Sequence, residues 1–201
     1  MITPQVIFQK ENESLFIYRA FAADWLSPHH IERFLEKEGV ALKQNKITVF
    51  GKEYNEPRLT YWMGPAYRYS SVYWLETAFT EEIARWKNTL TQLLHFSFNS
   101  VLINYYRDGQ DGMGKHRDNE PEMDSHCIAS LSFGASREIH FEQPTTKQKV
   151  KVALHHGDLL VMNNFQDTWW HSVPKRKNVS HSRLNLTFRK ISSAPTSLSS
   201  H

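Results

Sequence analysis

The segment GKHRDNEP, residues 114–121, places His116 and Asp118 two positions apart. If this segment is extended, both side chains leave the backbone on the same face, because side chains alternate along a strand. A further candidate, His171, lies 53 residues beyond Asp118 in the strand-like run WWHSVP. Two histidines and one carboxylate form the facial triad of non-haem Fe(II) oxygenases, which leaves coordination positions open for a co-substrate and dioxygen. The three residues are therefore candidate iron ligands.

A run of alternating residues near the end of the chain is a candidate co-substrate strand. It reads RLNLTFR, from Arg183 to Arg189. An arginine on a strand beside the metal can hold a dicarboxylate through a forked, charge-assisted pair. Each motif alone is weak evidence for a metal and co-substrate site, since a chain with 11 histidines forms an HxD pattern easily by chance. A zinc hydrolase would also accept two histidines and an aspartate, but it gives no reason for the arginine strand.

Composition and charge set the class of protein that carries these motifs. With 201 residues we expect one globular domain, large enough to bury a core. Hydrophobic residues make up 40% and charged residues 22%, which is ordinary for such a domain. The net charge of +3 is too small to indicate a nucleic-acid partner by itself. A monomer is the default expectation.

Cysteine usage and the absence of long apolar runs predict the compartment. Cys127 is the single cysteine, so an internal disulfide is excluded, and we expect its thiol to be buried in a strand. The start MITPQVIFQKENESL lacks the apolar core of a signal peptide. No run approaches the roughly 20 apolar residues that cross a bilayer. We therefore expect a cytoplasmic protein (nuclear if the source is a eukaryote) with no membrane partner.

Two helices are predicted in the first half of the chain. Ser27 and Pro28 supply a cap and a first-turn proline for one helix, which Gly39 would end. Thr80 can cap the other, in which apolar residues recur at helical spacing from Ile83 onwards.

Short runs of β-branched and aromatic residues follow residue 100, separated by turn residues. They are VLINYYR, CIASLSFG, EIHFEQ, KVKVALHHG, DLLVMN, WWHSVP and RLNLTFRKI. Seven strands without intervening helices predict an antiparallel sandwich or jelly roll, a mainly β fold with flanking helices. The candidate ligands lie in or beside these strands.

Three segments resemble the AlkB family of Fe(II)- and 2-oxoglutarate-dependent dioxygenases, nearest the branch that includes the animal nuclear DNA-repair member. They are LINYYRDGQDGMGKHRDNEPE, IASLSFGASREIHFEQ and NNFQDTWWHSVPKRKNVSHSRLNLTFRKI. The likeness covers roughly residues 45–191. It implies a double-stranded β-helix, or jelly roll, with an N-terminal substrate-recognition lid. On this basis residues 1–190 form one domain, with the lid at about 45–75, the catalytic core at about 101–190, and a flexible tail at 191–201.

The resemblance assigns roles around the metal. His116, Asp118 and His171 would hold Fe(II), and Arg183 would bind the distal carboxylate of 2-oxoglutarate. The further co-substrate contacts that it implies are Asn104, Tyr106, Asn185 and Arg189. From the sequence alone, Asn104 and Tyr106 would be read as residues of an ordinary strand.

The resemblance also implies residues that read the substrate. Phe50 would enter the base stack as a wedge, although a hairpin aromatic packed on the core is an equal alternative. Tyr67 and Tyr69 match an aromatic pair in the lid, and Tyr69 or Trp62 would stack on the flipped base. Glu120 would face the edge of a methylated, cationic base.

The resemblance also implies three basic residues that contact the nucleic acid, and the sequence departs from the family pattern at two positions. Arg137, Arg176 and Lys177 would contact the nucleic-acid backbone, although such residues are commonly solvated. Asn119 stands where the nearest branch has a second acid, and Tyr69 where it has phenylalanine. These departures bear on base preference and leave the metal chemistry unaffected.

The implied function is DNA repair by oxidative demethylation of bases such as 1-methyladenine and 3-methylcytosine. 2-Oxoglutarate and O2 would be converted to succinate and CO2, with formaldehyde released. Duplex DNA is the favoured partner, because a wedge is of most use in a stack; single strands and RNA remain open. The alternatives are an oxygenase that acts on RNA, a protein or a small molecule, and a noncatalytic nucleic-acid binder.

Overall fold

The structure is a computed structural model that describes residues 3–49, 51–69 and 72–192. Within these ranges the chain is mainly β, with fifteen strands and two α-helices. The strands are β1 (Gln5–Lys10), β2 (Glu13–Tyr18), β3 (Lys46–Val49), β4 (Lys52–Asn55), β5 (Leu59–Met63), β6 (Tyr67–Tyr69), β7 (Val72–Trp74), β8 (Ser100–Tyr106), β9 (Met113–His116), β10 (Met123–Gly134), β11 (Arg137–Glu142), β12 (Lys149–Leu154), β13 (Leu159–Asn163), β14 (Trp170–Val173) and β15 (Arg183–Ile191). All seven strands predicted after residue 100 are present. No helix in the described part of the chain is long and apolar enough to span a bilayer.

The two predicted helices are confirmed. A 3-10 turn at Pro28–His30 leads into α1 (Ile31–Lys37), and the Ser27 side chain accepts a hydrogen bond from the His29 N–H. Gly39 follows α1 with a φ of +64°, a conformation that glycine adopts at little cost. The second helix, α2 (Glu81–Leu94), begins after Thr80 in the N-cap position, but the Thr80 hydroxyl makes no capping bond.

Two antiparallel sheets form the body of the protein. The larger has seven strands in the order β1-β2-β13-β10-β15-β8-β5, and the smaller has four in the order β12-β11-β14-β9. From β8 onwards the chain passes repeatedly between the two sheets, which is the winding of a jelly roll. The predicted fold class is therefore confirmed. The other strands, β1 to β7 and β9, are not among those that the sequence predicts.

Alternation along the central strands separates two cores. On β15, Leu184, Leu186 and Phe188 face the helices and join a cluster with Ile83 and Trp86 of α2. The opposite faces of the larger sheet point into the roll, where a second cluster packs against the smaller sheet. The polar residues of β15 also point into the roll, because they occupy the alternate positions. The fold therefore places a polar site inside an apolar shell.

The predicted lid region forms two small hairpins beside the larger sheet. Strands β3 and β4 pair with each other, as do β6 and β7, while β5 joins the edge of the larger sheet at β8. Phe50 lies outside the described residues, and so does the predicted tail beyond Ser192. The side chain of Tyr69 is likewise outside the described part, although its backbone belongs to β6.

Candidate metal and co-substrate site

The three candidate iron ligands meet inside the roll. His116 ends β9 and pairs directly with His171 of β14, and Asp118 follows two residues later. One ligand atom from each side chain lies within 4.8 Å of the other two. The Asp118 carboxylate oxygens lie 3.7 Å from His116 Nε2 and 3.8 Å from His171 Nε2. His116 ends strand β9 and Asp118 lies just beyond it, and their side chains meet as the sequence predicts.

Hydrogen bonding suits these side chains to a metal ion. The Gly114 carbonyl lies 2.9 Å from His116 Nδ1, which selects the tautomer with a free lone pair on Nε2. Asp118 Oδ1 and His171 Nδ1 are buried without a hydrogen-bond partner among the described residues. Buried polar atoms rarely stay unpaired, because desolvation is costly. A cation that takes up the unpaired carboxylate oxygen fits this donor set.

The charge states also match those of metal ligands. Burial lowers the pKa of His171 to about 3 and lowers that of His116, so both imidazoles are neutral near pH 7. Burial alone would raise the pKa of Asp118, but the Arg189 guanidinium, 2.6 Å away, helps to hold that pKa below its usual value. Two neutral imidazoles and one carboxylate are the forms that bind a metal.

The predicted co-substrate residues line the same cavity as the metal ligands. Asn104 and Tyr106 on β8 lie opposite Asn185 and Arg183 on β15, and Arg189 lies on the same face of β15. All eight predicted metal and co-substrate residues border this cavity. Apolar side chains close it, namely Leu102, Met113, Ile139, Met162 and Val173. The structure thus brings these two sets of residues together.

Arg183 is a buried cation that lacks an acidic partner in the described chain. Its side chain is 3% exposed, and one nitrogen donates to Ser132 Oγ at 2.9 Å. Its Nε and Nη1 have no partner in the described structure. The Tyr106 ring lies 5.2 Å from the guanidinium. Because an uncompensated buried charge is strongly unfavourable, this arrangement fits an anion in the cavity.

The other two candidates on β15 are already engaged by the protein. Asn185 Nδ2 donates to Ser130 Oγ and to the Leu131 carbonyl, each at 2.8 Å, and Thr187 donates to its oxygen. Arg189 Nη2 donates to Asp118, although its Nε is unpartnered. The structure therefore gives Asn185 a supporting position, and Arg189 borders the cavity while it pairs with the candidate ligand Asp118.

Sequence reasoning missed a buried ion pair behind Asn104. Arg58 Nε donates to Asn104 Oδ1 at 2.8 Å, and Arg58 Nη2 donates to Glu56 Oε1 at 3.1 Å. Both charged residues are about 5% exposed or less. Since arginine can only donate, it fixes the Asn104 oxygen toward itself and turns the amide nitrogen away. The run NEPRL gave no sign of this, because Glu and Arg are usually solvated.

The predicted base-reading residues differ in their surroundings. The Tyr67 hydroxyl donates to Glu120 Oε2 at 2.8 Å, and burial raises the pKa of that carboxyl. Trp62 is 2% exposed and stacks on Tyr67 with ring centroids 5.2 Å apart. Its indole N–H donates to the Pro65 carbonyl. Trp62 thus packs behind Tyr67, where it does not offer that face to a base.

The prediction that Arg137 contacts the nucleic-acid backbone is wrong. It is 3% exposed and donates to the carbonyls of Asp108, Asp111 and Pro174. A guanidinium enclosed in this way ties loops together and does not present itself to a phosphate. Arg176 and Lys177, in contrast, are exposed, and Arg176 pairs with Glu138.

The Gly-rich loop DGQDGMG, residues 108–114, approaches other backbone closely. A Cβ on Gly109 would lie 1.7 Å from the Arg176 carbonyl oxygen, and one on Gly112 would lie 2.7 Å from that of Val173. Gly109 also exchanges hydrogen bonds with Arg176 and Val179. The glycines therefore bring this loop against the basic loop at 175–177.

The fold, the His–Asp–His cluster and the buried arginine define a class of protein. Residues 14–189 match the model of the 2OG-Fe(II) oxygenase superfamily, and the chain belongs to that family. The description of this family names 2-oxoglutarate and Fe(II), for which the site offers suitable residues.

Within the 2OG-Fe(II) oxygenase superfamily, the chain is similar to proteins of the AlkB family, so the predicted resemblance is confirmed. The chain is 40% identical over 159 residues to the DNA oxidative demethylase ALKBH2 of Bos taurus. It is 36% identical over 188 residues to the alpha-ketoglutarate-dependent dioxygenase alkB homolog 3 of Rattus norvegicus. These matches cover 73% and 84% of this chain, but only 57% and 60% of the relatives.

A solved structure supports the fold. The structure of OsALKBH1 superposes with a TM-score of 0.64, covering 91% of this chain and 100% of that one. Its sequence identity of 16% limits the comparison to the fold.

Proposed function

We propose that the protein is an Fe(II)- and 2-oxoglutarate-dependent dioxygenase that removes N-methyl groups from bases in DNA. The observation that carries the proposal is one cavity that joins the His116–Asp118–His171 cluster to the partly unpartnered guanidinium of Arg183. The ALKBH2 relatives, which are named DNA oxidative demethylases, supply the substrate class.

Each polar residue of the cavity has a defined part in this proposal. His116, Asp118 and His171 hold the metal, and the carbonyl of Gly114 keeps His116 in the ligating tautomer. Arg183 binds the distal carboxylate of 2-oxoglutarate. Tyr106 lies over the Arg183 guanidinium and helps to close that end of the cavity.

The amide of Asn104 is preset for the co-substrate. Arg58 holds its oxygen, so the amide nitrogen is left to donate to a co-substrate oxygen. Arg189 keeps Asp118 ionised and fixes its orientation. These contacts are made within the protein itself and hold both side chains in fixed orientations.

The chemistry removes the methyl carbon as formaldehyde. Iron held by His116, Asp118 and His171 would supply, with 2-oxoglutarate and dioxygen, the oxidising power to put one oxygen atom on the methyl carbon and the other in succinate, with loss of CO2. The N-hydroxymethyl group then breaks its C–N bond. The electron pair returns to the ring nitrogen, and the hydroxyl proton passes to water.

The surroundings of Glu120 suit a cationic base. Methylation at N1 of adenine or N3 of cytosine leaves the ring positively charged and unable to pair normally. Glu120, held by the Tyr67 hydroxyl, can face such a ring, and its carboxylate attracts the charge. A base that cannot pair is also the cheapest to extrude, which adds to the selectivity. Tyr69 as a stacking ring and Phe50 as a wedge remain predictions.

Formaldehyde release tests the proposed function. Oligonucleotides that carry 1-methyladenine or 3-methylcytosine are compared as single- and double-stranded DNA and as RNA. We expect release that requires 2-oxoglutarate, and its loss in His171→Ala but not in His30→Ala, a change at an exposed histidine. Full activity of His171→Ala would reject the metal assignment. 2-Oxoglutarate consumption that methylated DNA does not stimulate would favour a protein or small-molecule substrate.

The strand preference is tested at Phe50. A wedge fills the gap left by an extruded base only where there is a stack, so Phe50→Ala should reduce turnover of duplex more than that of single strands. Equal losses on both substrates would remove this role.

A further inference from the structure

The outer surface of the four-stranded sheet carries a pattern that the catalytic site does not use. His116 and His171 point into the roll from β9 and β14. The residues beside them, Lys115, Trp170 and Ser172, therefore point to the opposite side of the sheet. No described helix or strand packs on that side, because both hydrophobic cores lie at the other faces.

Strand register gathers charged and aromatic side chains on this side. Trp170 lies opposite Glu142, which lies opposite Lys149 on β12; His140 lies between Ser172 and Lys151. Together with Lys115 they border a shallow hollow of about 300 Å³. This surface, the outer basic face, consists of Lys115, His140, Glu142, Lys149, Lys151 and Trp170.

The charges of the outer basic face favour an anion. Its three lysines are all exposed. Two carboxylates lie on this side of β11, Glu142 and Glu138, and Glu138 is paired with Arg176 and His140. Glu142 lies 2.5 Å from Lys115 and 4.0 Å from Lys149, so these lysines share its charge. Lys151 forms no ion pair with any described residue. The face therefore keeps a net positive charge close to a hollow.

Trp170 adds an aromatic surface to these cations. It is 38% exposed, although a large apolar ring is usually buried. The Arg117 guanidinium lies 5.7 Å from the ring and donates to the Asp167 carbonyl, which holds the pair in place. An exposed ring beside several cations is the combination that binds single-stranded nucleic acids, with bases stacked and phosphates neutralised.

The outer basic face is continuous with the proposed active site. Strand β9 forms the edge of its sheet, and Lys115, His116 and Arg117 alternate between the outer face and the interior. Neighbouring strands lie about 5 Å apart. A nucleic-acid strand with one base at the metal site therefore has to pass only this edge strand to reach Trp170.

We propose that the outer basic face binds a single-stranded segment of nucleic acid that flanks the target base. Lys115, Lys149 and Lys151 neutralise its phosphates, and one base stacks on Trp170. The inference rests on the proposed function, since the same strand occupies both places. An acidic protein segment would match the charge, but it would leave the exposed ring without a stacking partner.

Length-dependent binding tests the proposal. The probes are labelled single strands of about three and about 15 nucleotides with a central 3-methylcytosine, and binding is followed by fluorescence anisotropy. The short strand fills the metal site alone, whereas the long one reaches the outer basic face. Lys151→Glu should weaken binding of the long strand about three- to tenfold and that of the short strand less than twofold. Lys37→Glu, the same charge change on α1 at the far side of the larger sheet, should alter neither.

Salt titration and two further residues sharpen the test. The slope of log affinity against log salt for the long strand should fall by about 0.7 in Lys151→Glu, the value of one single-strand phosphate contact. Trp170→Ala should weaken long-strand binding about fivefold or more, while Trp170→Phe, which keeps a ring, should restore most of it. Glu142→Gln should act in the opposite direction and strengthen binding, because it removes a negative charge.

The outcomes separate this inference from the proposed function. If the wild type releases formaldehyde from the short methylated strand but Lys151→Glu and Trp170→Ala bind the long strand like Lys37→Glu, the inference is wrong and the function stands. If the wild type neither binds nor demethylates either strand, both are wrong. If polyglutamate binds as tightly as the long strand and loses affinity in the same variants, the face takes an acidic protein and the proposal is overturned.

Discussion

Arg183→Met gives a quantitative test of co-substrate recognition. Methionine matches the arginine side chain as far as about Nε, so the substitution removes the charge and the donors while it keeps the packing of the aliphatic stem. Nη1 has no partner, and Nη2 uses only one of its two hydrogens for Ser132, so the two Nη nitrogens can donate together to one carboxylate. A hydrogen bond to a charged group contributes about 1.5–3 kcal/mol, so two contribute about 3–6 kcal/mol. The affinity for 2-oxoglutarate should therefore fall about 10²- to 10⁴-fold.

The assay compares two keto acids. Calorimetry on protein loaded with Mn(II) measures the Kd of 2-oxoglutarate and of 2-oxobutanoate, which lacks the distal carboxylate. The wild type should prefer 2-oxoglutarate by the same factor of about 10²–10⁴, and Arg183→Met should show little preference. Arg33→Met, at an exposed arginine of α1, should behave as the wild type does.

Stability without ligand gives an independent readout of the same argument. Burying a guanidinium with one hydroxyl partner is costly, so Arg183→Met should leave the Tm of the free protein unchanged or raise it. It should also remove the increase in Tm that 2-oxoglutarate gives with Mn(II) in the wild type. A variant that still prefers 2-oxoglutarate more than tenfold would refute the reasoning, because another residue would then hold the distal carboxylate.

The remaining predictions concern positioning, packing and reactivity. Arg58→Met should raise the Kd of 2-oxoglutarate about tenfold, because it frees Asn104 to rotate; a normal Kd would show that the amide needs no support. Gly109→Ala should lower the free energy of unfolding by at least about 2 kcal/mol, since its methyl group would collide with the Arg176 carbonyl; unchanged denaturant midpoints would contradict this contact. Burial raises the pKa of Cys127 to about 12, so its thiol should react with iodoacetamide at pH 8 only when the protein is unfolded; rapid labelling of the native protein would contradict the buried position.

Local pattern determined much of the fold. Strand alternation is a property of a few consecutive residues, so the runs after residue 100 predicted seven strands. The same alternation predicted that residues 183, 185, 187 and 189 share a face and that His116 and Asp118 can meet. The helix beginning at Glu81 was likewise predicted from its apolar spacing. Family resemblance supplied what spacing could not, namely the roles of Asn104 and Tyr106.

Tertiary structure decided the features that depend on distant residues. Arg137 reads as a surface cation, but three carbonyls from two loops, those of Asp108, Asp111 and Pro174, enclose it. Arg58 lies 46 residues from Asn104 in sequence, so nothing local could predict that it orients the amide. The sequence indicates Trp62 as a ring that could stack on a base, but Tyr67 packs upon it in the fold.

The outer basic face also depends on tertiary structure more than on local sequence. Each of its lysines is an ordinary polar residue of a strand, and the sequence contains no basic run there. Only the pairing of β9, β11, β12 and β14 places three lysines around one exposed tryptophan. Sequence therefore determines which way a side chain points from its own strand, because that depends on neighbouring backbone. The partners that it meets depend on strand order and register, which arise only when the whole chain is packed.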